Sequence, residues 1–100
     1  MSDYRVMLTP RAMKDMDKIY RYILEEFREP ETAEHIVGIL KDAICSLYGM
    51  PYQGTERKQG LYADKGYHQL FIKNFTIVYR VDEQKQSVII MTIRYTPINF

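Results

Sequence analysis

Cysteine is almost missing from this chain. Cys45 stands alone, so no internal disulfide can brace the fold, and a reducing compartment is suggested. It sits in an apolar helical pattern, where a free cysteine is expected to pack as a small apolar side chain. Long apolar runs are missing too. Nothing approaches the roughly 18 consecutive apolar residues of a membrane-spanning helix. The opening MSDYRVMLTPR mixes acid and base before any apolar stretch and offers no small-residue cleavage site, so it does not read as a signal peptide. A cytoplasmic protein without membrane association is expected. There is no phosphate-binding glycine loop, no metal-ligand cluster, and no Ser/His/Asp or Cys/His set that spacing would single out. No cofactor or metal is implied.

What is present is enough for one core. A chain of 100 residues makes one domain, residues 1–100, and buries about two-thirds of the surface its unfolded form exposes. Net charge is +1, but the charge is uneven: residues 1–49 hold seven Lys or Arg against nine Asp or Glu, and residues 50–100 hold seven against four. The second half is basic, which hints at an anionic partner there, either nucleic acid or an acidic protein segment.

Tyr4 to Leu8 reads as a short strand. Thr9-Pro10 follows as an N-cap with proline at the first helical position. Met13, Met16, Tyr20, Ile23, Leu24 and Phe27 recur at offsets of three, four and seven and form the expected buried stripe of a first helix ending near Arg28. Lys14, Asp17, Lys18, Arg21 and Glu25 lie on its solvated face. Pro30 both closes that helix and opens the next. Ala33, Ile36, Val37, Leu40, Ile44 and Leu47 give the second stripe, with Gly49 as a C-cap and Pro51 beyond it. A tight turn between two such helices makes an antiparallel αα-hairpin. His35 has no second ligand at metal spacing and reads as a surface histidine.

Residues 50–66 read as a loop with at most one short strand, near Leu61 and Tyr62. Tyr67 to Lys73, Phe75 to Val81 and Val88 to Tyr95 are rich in β-branched and aromatic residues, separated by a turn at Lys73-Asn74 and a polar loop from Asp82 to Ser87. The expected class is α+β, with the N-terminal strand and αα-hairpin packed on one face of an antiparallel sheet. Alternation assigns His68, Leu70, Ile72, Phe75, Ile77, Tyr79 and Val81 to the core face. Ile89, Met91, Ile93 and Tyr95 are expected there as well. The opposite face receives Gln69, Phe71, Lys73, Thr76, Val78, Arg80 and Asp82, with Val88, Ile90, Thr92 and Arg94 beside Val78 and Arg80 and with Tyr67 and Arg57 at its rim. Two readings of it stand side by side: an ordinary solvated face, or a basic concave surface for an anion.

The opening YRVMLTPRAMKDMDKIYRYI, the proline between the helices and above all GYHQLFIKNFTIVYRVDE, Gly66 to Glu83, resemble the RelE/ParE superfamily of bacterial toxins from type II toxin–antitoxin modules, of the plasmid-stabilisation type. The resemblance covers nearly the whole chain. It implies a small growth-inhibiting toxin held in check by a cognate antitoxin whose C-terminal segment wraps it in a hetero-oligomer. It also implies one of two targets. RelE-like members cut mRNA on the ribosome, and ParE-like members act on DNA gyrase without a recognised nuclease site.

Metal-independent RNA cleavage needs a group to take the 2′-hydroxyl proton, cations for the developing phosphate charge, and a donor for the leaving oxygen. The candidates here are Arg80, Arg94 and Lys73 for phosphate, Tyr95 or Tyr67 as proton donor, and His68 as the nearby imidazole. Thr76 stands where the nuclease branch has an arginine. Pro97 and Ile98 stand where many members carry a basic pair. These departures favour the ParE-like mechanism over the nuclease, with a non-toxic antitoxin-binding remnant as a third reading. The surface expected to meet the target or an anion comprises Lys73, Thr76, Arg80, Arg94, Arg57 and Gln69.

Overall fold

The computed structural model describes residues 3–96. Strand β1 (Arg5–Leu8) leads through Thr9 into helix α1 (Pro10–Phe27). Arg28 closes α1 in a left-handed conformation, φ 54°, with its N–H returned to the Leu24 carbonyl, and helix α2 (Pro30–Ser46) starts two residues later. Four further strands follow: β2 (Thr55–Glu56), β3 (His68–Ile72), β4 (Phe75–Asp82) and β5 (Ser87–Tyr95). They form one sheet in the order β1-β5-β4-β3-β2, and α1 and α2 share a single core with it. No helix among the described residues is long and apolar enough to cross a membrane.

The αα-hairpin and the α+β class agree with the sequence reading, but the sheet is mixed. β1 lies parallel to β5, pairing Val6 with Val88 and Leu8 with Ile90, while the remaining pairs are antiparallel. A parallel neighbour is possible because the crossover from β1 to β5 includes both helices. The short strand expected near Leu61 and Tyr62 is instead at Thr55–Glu56, antiparallel to Gln69 and His68.

Helix α1 buries a different stripe from the one its apolar pattern marks. Ala12, Asp15, Ile19 and Ile23 are buried, Met16, Tyr20 and Leu24 pack at the margin, and Met13 and Phe27 are exposed. The face is turned by about one residue because Asp15 points inward. In α2 Ala33, Val37, Leu40, Ile44 and Leu47 are buried as their spacing predicts, while Ile36 packs at the margin. Cys45, next to Ile44, faces solvent rather than the core. The helix ends at Ser46, three residues before Gly49.

In β3 and β4 the alternation reads true, and Leu70, Ile72, Phe75, Ile77, Tyr79 and Val81 all face the core. In β5 it fails halfway. Val88 and Ile90 pair with Val81 and Tyr79, whereas Ile93 pairs with Ile77, with a register shift between Val78 and Tyr79. The extra residue of this β-bulge reverses parity. The core therefore takes Val88, Ile90 and Ile93, not Ile89 and Met91. Arg94 is still opposite Thr76, on the face away from the helices.

Past Ile90, no strand among the described residues pairs with the outer side of β5, and the start of α1 takes over. Thr9 N donates to Ile90 O at 3.1 Å. Its hydroxyl donates to Met91 O at 3.0 Å and accepts from Ala12 N at 3.0 Å, so one side chain caps the helix and binds the strand. Asp15 Oδ2 then accepts from Ile93 N at 3.1 Å and from the Thr92 hydroxyl at 2.5 Å, while Arg11 Nε is 3.4 Å from Oδ1.

At the other end, Glu83 gathers three segments. The Tyr4 hydroxyl donates to it at 2.6 Å and the Tyr52 hydroxyl donates to its second oxygen. Gly54 N donates to the Tyr79 hydroxyl at 3.1 Å. Only glycine fits there, because an added Cβ would collide with the Gln69 carbonyl oxygen and lie 2.8 Å from that hydroxyl.

Two tests follow from these contacts. Replacing Asp15 with Ala leaves the Ile93 N–H and the Thr92 hydroxyl buried without an acceptor. It is expected to cost about 1–3 kcal/mol of stability in urea titration, and an unchanged midpoint would show that the strand edge does not depend on this carboxylate. The second test is pH. The Tyr4 hydroxyl, then that of Tyr52, holds the Glu83 carboxyl below its ordinary 4.5, so this contribution is present above 4.5 and is lost as pH falls through the folded value. Hydrogen bonding to Glu83 pushes Tyr52 up to about 12, so its contribution is full below the ordinary value of 10 and fades as pH rises toward 12. In Tyr52→Phe both limbs of a melting-temperature profile are expected to flatten. Superimposable profiles would exclude the contact as their source.

Candidate functional site

The face turned away from the helices is built in cross-strand rows. Thr55, Gln69, Val78 and Thr92 form one row across β2, β3, β4 and β5, flanked on one side by Phe71, Thr76 and Arg94 and on the other by Arg80 and Ile89. Thr76, Val78 and Thr92 are almost fully buried, so this face is a packed floor rather than a bare solvated sheet. The loop after β2 closes over part of it and leaves a cleft of about 450 Å³ lined by Glu56, Arg57, Lys58, Gln69, Phe71 and Thr76, with Gln59, Gly60 and Thr96 completing the rim.

Arg57 holds the cleft together. It is only 5% exposed. Its Nε donates to Leu61 O at 2.7 Å and its guanidinium donates to Gln69 Oε1 at 2.9 Å. Its backbone N–H donates to Tyr67 O, and its carbonyl accepts from Asp64 N. Burial lowers its pKa from the usual arginine value, although a guanidinium stays charged at neutral pH. The Thr76 and Thr96 hydroxyls meet at 2.5 Å. Arg94 Nε donates to the Thr92 hydroxyl at 3.3 Å. Arg80 is exposed four residues beyond Thr76 on β4, roughly 13 Å further along the strand.

The fold thus assembles Arg57, Gln69, Thr76, Arg80 and Arg94 on one face and disperses the other expected residues. Lys73 takes a left-handed conformation, φ 57°, in the β3–β4 turn and lines a different cavity, so the expected row of three cations is broken. Tyr95 faces the helix side, its ring 5.5 Å from that of Phe75. His68 also faces that side: it stacks on Tyr79 at 5.6 Å and meets Tyr52 edge-on at 5.5 Å, and its Nδ1 is buried without a hydrogen-bond partner. The ring of Tyr67 packs edge-on against Tyr62 at 5.1 Å, outside the residues lining the cleft. Pro97 and Ile98 lie outside the described residues. Glu56 and Lys58 are cleft residues that the sequence pattern did not single out, because a loop has no periodicity to assign them a face.

On the helix side a larger, mostly apolar groove of about 790 Å³ runs between α1, α2 and the end of the β3–β4 hairpin. Tyr22, Phe27, Ile36, Ile39, Phe75 and Tyr95 form much of its wall, with Lys18, Lys73, Glu26 and His35 among its polar lining. Tyr22, Phe27 and Tyr95 are each more than half exposed. Their gathering along one groove, rather than their exposure singly, makes an apolar patch of the kind that marks interaction surfaces.

Comparison with known proteins agrees with this architecture. A chain of the chromosomal ParDE toxin–antitoxin system from P. aeruginosa superposes with a TM-score of 0.75 at 22% identity, covering 92% of this chain and 95% of that one. In the RelBE2 toxin–antitoxin complex of Mycobacterium tuberculosis the values are 0.66 and 19%, over 98% and 97%. The intact E. coli RelBE complex gives 0.62 and 15%, over 95% and 99%. At these identities the likeness establishes the shared fold. No curated relative matches the chain. The sequence model described as the ParE toxin of the type II toxin–antitoxin system parDE matches residues 6–99, and the chain therefore belongs to the ParE toxin family, within the RelE/ParE superfamily.

Proposed function

We propose that this chain is a cytoplasmic, growth-inhibiting toxin of the ParE type that acts by binding DNA gyrase through its basic face, and that a cognate antitoxin neutralises it. The observation that carries the choice of mechanism is that the imidazoles and Tyr95 lie away from this face, so that Glu56 has no imidazole or tyrosine beside it among the residues lining the cleft. The chain's two histidines, His35 and His68, are both off the basic face, one lining the apolar groove and the other stacked beneath Tyr79. Tyr95 is on the groove side as well. Arg80 and Arg94 supply charge and N–H donors and the buried Arg57 adds charge from the cleft wall, but none of the three gains or loses a proton at neutral pH. Such a surface suits an acidic protein patch, where electrostatic complementarity speeds association and fixes orientation.

The groove is the proposed seat of the antitoxin. Solved structures that resemble this chain include toxin–antitoxin complexes, and the exposed Tyr22, Phe27 and Tyr95 offer the aromatic anchors that dominate such contacts. Lys18 and Lys73 at its margin suit a segment that carries acidic flanks.

With purified protein, gyrase supercoiling should be blocked while translation in a cell extract continues. Arg80→Ala and Arg94→Ala are each expected to weaken inhibition about tenfold, on the order of one well-placed contact. Ribosome-dependent mRNA cleavage that disappears in Glu56→Gln or Arg94→Ala would replace this reading with the RelE-like one, and expression without growth arrest would leave only an antitoxin-binding module. Tyr22→Ala, at an exposed position, should lower antitoxin affinity by tenfold or more while leaving growth arrest intact. Unchanged affinity would move the antitoxin off the groove.

A further inference from the structure

We infer that Asp15 and Thr92 form a positioning relay that orients Arg94 on the basic face, an inference that rests on the reading of that face as the toxic surface. Thr92 is fully buried and has one hydroxyl hydrogen. That hydrogen goes to Asp15 Oδ2 at 2.5 Å, which leaves the oxygen lone pairs to accept, and Arg94 Nε donates to the hydroxyl oxygen at 3.3 Å. A hydroxyl that donates to a carboxylate is polarised into a better acceptor, so the two bonds strengthen each other. Thr92 and Arg94 both follow the β-bulge, Thr92 opposite Val78 and Arg94 opposite Thr76, so plain alternation sends both side chains from the same face of β5.

The guanidinium is a planar fork, and fixing Nε fixes the plane in which its other N–H groups point. An arginine held in this way loses less side-chain freedom when it meets its target. Asp15 is itself held by Ile93 N and faced by Arg11, so the relay is anchored to α1 and to the β5 backbone. Asp15 and Thr92 touch no target in this arrangement. They act through Arg94.

Thr92→Val removes the hydroxyl and keeps the branched shape, whereas Thr92→Ser keeps the hydroxyl. Potency is read as the toxin level needed to halt growth, which does not depend on the identity of the target. Thr92→Val is expected to need several-fold more protein than wild type, Thr92→Ser close to the wild-type amount, and Thr92→Val added to Arg94→Ala no more than Arg94→Ala alone. Melting temperature and antitoxin binding, measured alongside, report folding separately from the relay. Full potency in Thr92→Val, or an equal loss with and without Arg94, would overturn the relay while leaving the basic-face reading in place. Full potency in Arg94→Ala, or a wild type that does not halt growth, would overturn both.

Discussion

The edge of β5 is the constraint around which this fold is arranged. A strand interior must satisfy polar groups on both sides, and β1 reaches only from Ser87 to Ile90. Beyond that point the chain uses the first two turns of α1 in place of a strand. The Thr9 backbone and hydroxyl serve Ile90 and Met91, and the Asp15 carboxylate serves Ile93 and Thr92. The same hydroxyl that bonds Met91 also caps α1. Helix start, strand edge and crossover are therefore one unit, and α1 cannot rotate about its axis without exposing the edge it covers.

That dependence explains where the sequence was readable and where it was not. The helix limits near Pro10 and Pro30, the β3–β4 hairpin and its two faces follow from local chemistry: proline at N1, alternation, and a short turn at Lys73-Asn74. These signals are contained within a few residues. The stripe of α1 is different, because Asp15 looks like a surface residue until its hydrogen-bond donors on β5, more than seventy residues away, are in place. Hydrophobic periodicity counts apolar side chains and has no way to count a carboxylate that is buried for its hydrogen bonds. Met13 and Phe27 fit the period and still face outward.

The bulge in β5 hid the rest. Alternation assumes an unbroken pleat, and VIIMTIR offers an apolar residue at nearly every position, so either parity looks acceptable. Only pairing with Ile77 and Tyr79 shows that one residue is extra. Arg94 was nonetheless placed correctly, since the reversal falls before it. Arg57 was placed at the rim by composition alone. Its role as the strut linking the loop to Gln69 depends on Leu61 and Gln69, a contact no local pattern encodes.

The two surfaces of the molecule are built from alternate residues of the same strand ends. Phe75 lines the apolar groove and Thr76 the polar cleft. Tyr95 faces the groove and Arg94 the basic side, and the pairs Phe75–Tyr95 and Thr76–Arg94 are consecutive rungs of one ladder. Thr96 ties the rungs together, its backbone N–H reaching Asn74 O at 2.7 Å and its hydroxyl the Thr76 hydroxyl. A shift of β5 by one residue would exchange the two sets, and the bulge together with the Asp15 anchor fixes that register. The carboxylate on α1 therefore decides which side chains each face presents, although it contributes to neither surface directly.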